Sequence, residues 1–129
     1  MPNIPDHLRY TADHEYVATT DDAPIVRVGI TDYAQGELGD VVFVSLPAPG
    51  ARFTAHQSFG TIEAVKAVSE LFSPVAGEIV TVNGALETDP AAVNRDPYGD
   101  GWMVTIRVAD PAELNSLLPA QAYRSHVGE

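Results

Sequence analysis

The chain has 129 residues, 45% of them hydrophobic, and its 7 basic and 18 acidic side chains give a formal net charge of 7 − 18 = −11. That length suits one domain with its own core, the apolar content argues against disorder, and the acidic balance disfavours nucleic acid and anionic membranes while favouring proteins with basic docking patches. The absence of cysteine excludes a disulfide framework, a thiol nucleophile and a zinc–thiolate site, so any redox chemistry must come from an attached group.

No apolar run approaches membrane-spanning length, and the opening MPNIPDHLRY lacks the marks of a signal or transit peptide. A cytoplasmic protein of bacterial type is expected. Residues 1–5 read as a loose tail. Residues 7–10 and 15–20 are short β-prone runs, and Asp21-Asp22-Ala23-Pro24 makes the next turn. A strand is predicted over 25–30, then a short helix through Leu38 with Thr31 as cap, Asp32 in its first turn and Gly39 at its end. DVVFVSL at residues 40–46 is an apolar strand stopped by Pro47-Ala48-Pro49-Gly50, after which residues 52–57 lead into a central hairpin.

Beyond the hairpin, residues 77–82 form another strand closed by Asn83-Gly84. Residues 85–100 hold one short helix near 91–94 and then a loop. The last strand is predicted over 102–108, with Trp102, Val104, Ile106 and Val108 on one face; Trp102 and Phe43 are assigned to the core. Asp110, Pro111 and Glu113 predict a capped helix with a capping box and with Leu114, Leu117 and Leu118 on one face; a further turn or two follows over 120–127. A weak repeat, Gly39-Asp40-Val41-Val42-Phe43-Val44 against Gly77-Glu78-Ile79-Val80-Thr81-Val82, suggests two similar halves around the hairpin.

That hairpin, FGTIEAVKAVSELFSP over 59–74, has its tip at Val65-Lys66. Tight hairpins favour Asn-Gly or Asp-Gly, which tolerate positive φ. A β-branched Val beside a Lys fits a type I turn instead, and leaves an apolar side chain in water. Lys66 is the sole lysine among seven basic residues. A solvated loop lysine is the bland alternative, but the unusual tip looks built for recognition. An exposed lysine is an ammonium at neutral pH and a poor nucleophile, so Lys66 is a handle for an attached group rather than a catalyst. Acylation would remove its charge and let the arm lie against the protein surface.

Other constellations are thin. His7, His14, His56 and His126 lack metal-ligand spacing, and Ser58, Ser69 and Ser73 lack a base, so no metal site and no catalytic residue are expected. His14-Glu15 could flank a cleft or could be solvated surface, and Glu70 has the same two readings.

LRYTADHEYV, VGITDYAQGELGDVVFVSLP, FGTIEAVKAVSELFSPVAGEIVTVN and VNRDPYGDGWMVTI, in that order, resemble the H protein family of the glycine cleavage system, lipoyl carriers, over nearly the full chain. The resemblance implies a mainly β fold with short helices: a barrel-sandwich hybrid like that of lipoyl and biotinyl carriers, a single domain over 1–129 with N-terminal strands and a C-terminal helical extension. It implies lipoic acid bound covalently to Lys66, Glu63 and Val65 as marks read by the modifying enzyme, and His14, Glu15 and Glu70 around the cleft that holds the loaded arm. It further implies a non-enzymatic carrier that takes an aminomethyl group from a pyridoxal-phosphate glycine decarboxylase to a tetrahydrofolate-dependent aminomethyltransferase. Dihydrolipoamide dehydrogenase would then reoxidise it. A lipoate ligase, or a lipoyl or octanoyl transferase, would load a monomer that makes only transient complexes. Three positions depart from the family pattern: Tyr16 where Trp is usual, Ala64 where Ser is, and Glu70 where Asp is. Ala64-Val65-Lys66-Ala67 also differs from the Ala-Met-Lys-Met of biotin carriers, and the long terminal extensions differ from 2-oxoacid dehydrogenase lipoyl domains. A lipoate-relay protein, which would donate lipoyl groups to other acceptor domains, is the alternative function; a lysine-dependent enzyme would require turnover by the isolated chain.

Overall fold

A computed structural model describes residues 3–128, so Met1 and Pro2 of the expected tail lie outside the described residues. Ten strands and three α-helices follow one another: β1 Arg9–Tyr10, β2 Glu15–Thr19, β3 Ile25–Ile30, α1 Asp32–Leu38, β4 Val41–Ser45, β5 Arg52–Phe53, β6 Ser58–Ala64, β7 Val68–Phe72, β8 Gly77–Val82, α2 Ala92–Arg95, β9 Val104–Val108, β10 Leu118–Pro119 and α3 Ala120–His126. Two sheets result. Seven strands run in the order β10-β1-β2-β3-β9-β8-β5, and three in the order β4-β6-β7. The repeated strands β4 and β8 fall in different sheets, on either side of the β6–β7 hairpin.

Alternation decides what is buried. Val17, Val26, Val28, Ile79, Val104 and Ile106 from the large sheet meet Val44, Ile62 and Leu71 from the small one, which makes the central core. A second cluster of Ile4, Leu8, Tyr10, Tyr16 and Tyr123 sits under α3, where Tyr10 and Tyr123 stack at 4.6 Å between centroids. The family-departing Tyr16 belongs to this second cluster. Its hydroxyl donates to Pro97 O at 2.7 Å, and its ring occupies the space that a Cβ on Gly29 would need.

Several sequence expectations are corrected. Residues 3–5 are no loose tail, because Ile4 is buried, Asn3 N donates to Asp32, and Arg124 and Tyr10 donate to the Ile4 and Pro5 carbonyls. The strand expected over 7–10 shortens to Arg9–Tyr10. Phe43 is 49% exposed, since a register shift between Val41 and Phe43 turns both Val42 and Phe43 outward. Trp102 is only half-buried and precedes the strand; Met103 takes the core position. Asp110 does cap, accepting from Ala112 N, but the helix is a 3-10 helix over Pro111–Ser116. Glu113 closes no capping box; its carboxylate accepts from Ala76 N instead, at 3.0 Å. Leu114 and Leu117 reach the central core while Leu118, in β10, joins the second cluster. Arg52–Phe53 form an edge strand on β8, and Gly84–Glu87 a 3-10 turn that periodicity did not suggest.

Candidate functional site

The β6–β7 hairpin closes through Ala64 N donating to Ala67 O at 2.7 Å, with Val65 and Lys66 between them. Neither has a positive φ; among described non-glycine residues only His14 and His56 do. The tip therefore needs no glycine, and the cost falls on Val65, which is 76% exposed. Glu63 and Lys66 are exposed too.

The tip does not float. Val65 N donates to Asp40 O at 3.0 Å, tying it to the bend that ends α1. Gly39 makes that bend with φ 82° and ψ −156°, a region essentially closed to residues with a Cβ. Asn94, from α2, clamps the same bend. Its Nδ2 donates to Gly39 O at 2.8 Å and to Gln35 Oε1 at 2.9 Å, and its Oδ1 accepts from Val41 N at 2.9 Å. The Lys66 stem lies over Gly39, with Cε 3.3 Å from where a Cβ would stand. Asn94 and Gly39 escaped the sequence reading as site-positioning residues, because nothing local marks one Asn in a Pro-, Asp- and Gly-rich stretch as a clamp on residue 39.

Beside the tip, a cleft of about 250 Å³ runs between α1, the start of β2 and β7. Ile30, Ala34, Leu38, Ile62 and Leu71 provide apolar walls, and Asp13, His14, Glu15, Tyr33, Glu37, Ser69 and Glu70 complete the lining. The structure thus gathers His14, Glu15 and Glu70 around one cavity, although they are 56 residues apart at the extremes of the sequence (70 − 14). Lys66 is not itself in the lining; its stem lies over Gly39, the residue after Leu38 of the cavity wall. Glu70 alternates to the opposite face of β7 from Ser69 and reaches the cavity as part of an edge strand.

Glu15 is 2% exposed. Burial pushes its pKa up to about 8, against the pull of the hydrogen bond from Thr11, whose hydroxyl donates to Oε1 at 3.0 Å. His14 is shifted the other way, below its ordinary value, by burial and then by His126. Its Nδ1 lies 2.8 Å from the Tyr123 hydroxyl, which lies 2.7 Å from Thr31 Oγ1. Thr31 Oγ1 already accepts from Ala34 N. A proton order from Thr31 to Tyr123 to His14 Nδ1 uses both hydroxyl donors and suits a ring whose Nδ1 accepts. Burial thus favours the neutral forms of both His14 and Glu15, in a lining that also holds Asp13 and Glu37. An entering cation would favour the Glu15 carboxylate and draw its pKa down. Tyr123 and Thr31 were not foreseen as partners of His14, being 109 and 17 residues away (123 − 14, 31 − 14).

Among the described residues no group of three His, Asp or Glu side chains could hold a metal ion, and no helix is long and apolar enough to cross a membrane.

Comparison with known proteins adds four findings. The family profile described as "Glycine cleavage H-protein" matches residues 8–129. The chain is 57% identical over 127 residues to the glycine cleavage system H protein of Chlorobium limicola, covering 98% of this chain and 99% of that protein. It is 52% identical to the one from Mycolicibacterium vanbaalenii over 100% of each. In three dimensions it is similar to the crystal structure of a glycine cleavage system H protein from Mycobacterium marinum, with TM-score 0.85, 41% identity and coverage of 98% and 100%.

Proposed function

Because the chain belongs to the glycine cleavage H-protein family, whose members carry a lipoyl group covalently on a lysine, we propose that Lys66 is the lysine that bears it. The chain is the lipoyl carrier of the glycine cleavage system and has no catalytic activity of its own; its partners are the other components of that system. The named relatives are all H proteins, so the lipoate-relay role is not favoured.

The observation that carries the Lys66 reading is its place: the only lysine, exposed on a tip that the Val65 N–H to Asp40 O hydrogen bond ties to the end of α1, near a cleft with apolar walls and a polar inner end. An arm with a long hydrocarbon stem fits such walls. Attached to Lys66, a lipoyl group would supply the disulfide–dithiol chemistry on which the aminomethyl group is carried. The protein's own part is positional. Gly39 and Asn94 fix where the arm begins, Ile30, Leu38, Ile62 and Leu71 exclude water along its path, and His14 and Glu15 provide hydrogen-bonding groups at the inner end, with Glu70 at the rim. The carrier would then present the arm in turn to the decarboxylase, where it takes up the aminomethyl group, to the aminomethyltransferase, where it gives that group up, and to dihydrolipoamide dehydrogenase for reoxidation.

A lipoate ligase or a lipoyl or octanoyl transferase loads Lys66, reading Glu63 and Val65, whose exposure beside it supports that role. We place the carrier in the bacterial cytoplasm, in keeping with its bacterial relatives, as a monomer in transient complexes and a single carrier domain over residues 1–129. Intact mass after incubation with lipoate ligase, ATP and lipoic acid tests the site. One lipoyl increment is expected on the natural chain and none on Lys66→Arg, which keeps the charge but not the acylable amine. A lipoyl increment on Lys66→Arg overturns the assignment.

A further inference from the structure

Phe43, Glu63 and Val68 stand in one row across the small sheet. Phe43 on β4 pairs with Glu63 on β6, and Glu63 pairs with Val68 on β7. Residues directly opposite in antiparallel strands project from the same face, and here it is the face turned away from the core. Phe43 is 49% exposed and Val68 67%. With Val42 and Val65 they make up all the exposed large hydrophobic residues among the described ones. All four lie on the small sheet or its tip, around Lys66. A concentration of this kind on an otherwise charged surface marks a contact face.

From this arrangement we propose that the outer face of the small sheet, through Phe43 and Val68, is the docking surface for the enzyme that acylates Lys66, and that this enzyme meets it with an apolar centre and a basic rim. The inference rests on Lys66 being the lipoylated residue. Reach selects this partner over the others. In the acylation the Lys66 ammonium first gives up one proton, the neutral Nζ attacks an activated lipoyl carboxyl, and the amide bond forms as the bond to the activating group breaks and Nζ gives up a second proton. That enzyme must therefore bring its own reacting centre to the end of a four-carbon side chain, and its surface has to cover the ground beside the tip. Enzymes that act on the dithiol meet the far end of the completed arm and have no such need. Charge sets the rim. No arginine lies on β4, β6 or β7, and Asp40, Glu63 and Glu70 are exposed on or beside the face, so a basic partner surface complements it.

The test is steady-state lipoylation of the unmodified full chain by a purified lipoate ligase with ATP and lipoic acid, comparing Phe43→Thr, Val68→Thr and the double variant. Threonine retains strand propensity, and Val68→Thr, at the more exposed position, provides a folded variant if Phe43→Thr disturbs β4. The expected result is a KM for the carrier raised roughly tenfold in the double variant, with melting temperature and kcat little changed. Arg107→Thr, exposed on the large sheet, is the control and leaves KM where it was. An unchanged KM in the double variant while Lys66 is still modified overturns the docking face alone. A KM that rises more for the decarboxylase acting on the lipoylated variants than for the ligase assigns the face to another partner and overturns it as well. Failure of the natural chain to gain a lipoyl group at Lys66 overturns the carrier-lysine reading, and this one with it.

Discussion

Lys66 lies across Gly39 so closely that a single added carbon on the glycine would stand 3.3 Å from Lys66 Cε. Two constraints meet there, because Gly39 also has φ 82° and ψ −156°. Gly39→Ala should therefore lower stability by roughly 1–3 kcal/mol and push the lysine stem aside. Chemical denaturation measures the first effect, and the rate of lipoylation by a ligase the second. An alanine variant as stable as the parent would show that the bend relaxes without cost.

Asn94 links α1, the Gly39 bend and β4 through three hydrogen bonds. Asn94→Ala strands the Val41 N–H and the Gly39 carbonyl, and an orphaned buried polar group costs about 1–3 kcal/mol. Asn94→Asp keeps the acceptor for Val41 but sets a carboxylate against the Gly39 carbonyl, so it should also destabilise. Hydrogen exchange gives the local readout. The Val65 amide, bonded to Asp40 O, should lose protection in both variants. Unchanged exchange at Val65 would mean that Asn94 does not hold the tip.

Glu15 makes stability depend on pH in a direction opposite to that of most carboxylates. Its folded pKa is about 8 against an ordinary 4.5, so between these values the folded state holds a proton that the unfolded chain has lost. Stability should fall as pH rises through this window, by up to about 1.4 kcal/mol per pH unit from this one group. Glu15→Gln retains an acceptor for Thr11, and its unfolding free energy should gain on the parent as pH rises from 5 to 8. His14 works the other way. With its pKa lowered by burial, the unfolded chain takes up the proton first as pH falls through 6.5, and stability falls with it. Denaturation curves for the parent and Glu15→Gln across pH 5 to 8 decide the matter; a difference that shrinks with rising pH would contradict burial as the cause.

The net charge of −11 should act on encounter rates. A carrier that visits several enzymes and must leave each is served by weak contacts with electrostatic steering. The Debye length shrinks from about 10 Å at 0.1 M salt to about 3 Å at 1 M, so the decarboxylase KM for the lipoylated carrier should rise with ionic strength while kcat changes less. Free lipoic acid lacks the acidic surface and should respond weakly. If both respond alike, the charge serves something other than docking.

Local patterns alone determined the elements whose causes are local. The predicted β3, α1 with its Thr31 cap and Gly39 end, and β8 appear with the expected bounds, because alternation, a capping hydroxyl and a glycine act within a few residues. The Val65-Lys66 tip was legible for the same reason, and the long motifs carried the family resemblance. Tertiary structure decided the rest. A phenylalanine within an apolar strand run reads as core, yet Phe43 turns outward through a register shift against β6. Glu113, placed for a capping box, found a better donor in Ala76, and Asn3 and Ile4 were tied down by side chains about 30 and 120 residues away. The clamp of Asn94 on Gly39 and the Thr31–Tyr123–His14 relay likewise join residues far apart in the chain. Hydrogen bonds at that separation leave no periodicity and no spacing to read, since only the packing of two sheets and a C-terminal helix brings the partners together.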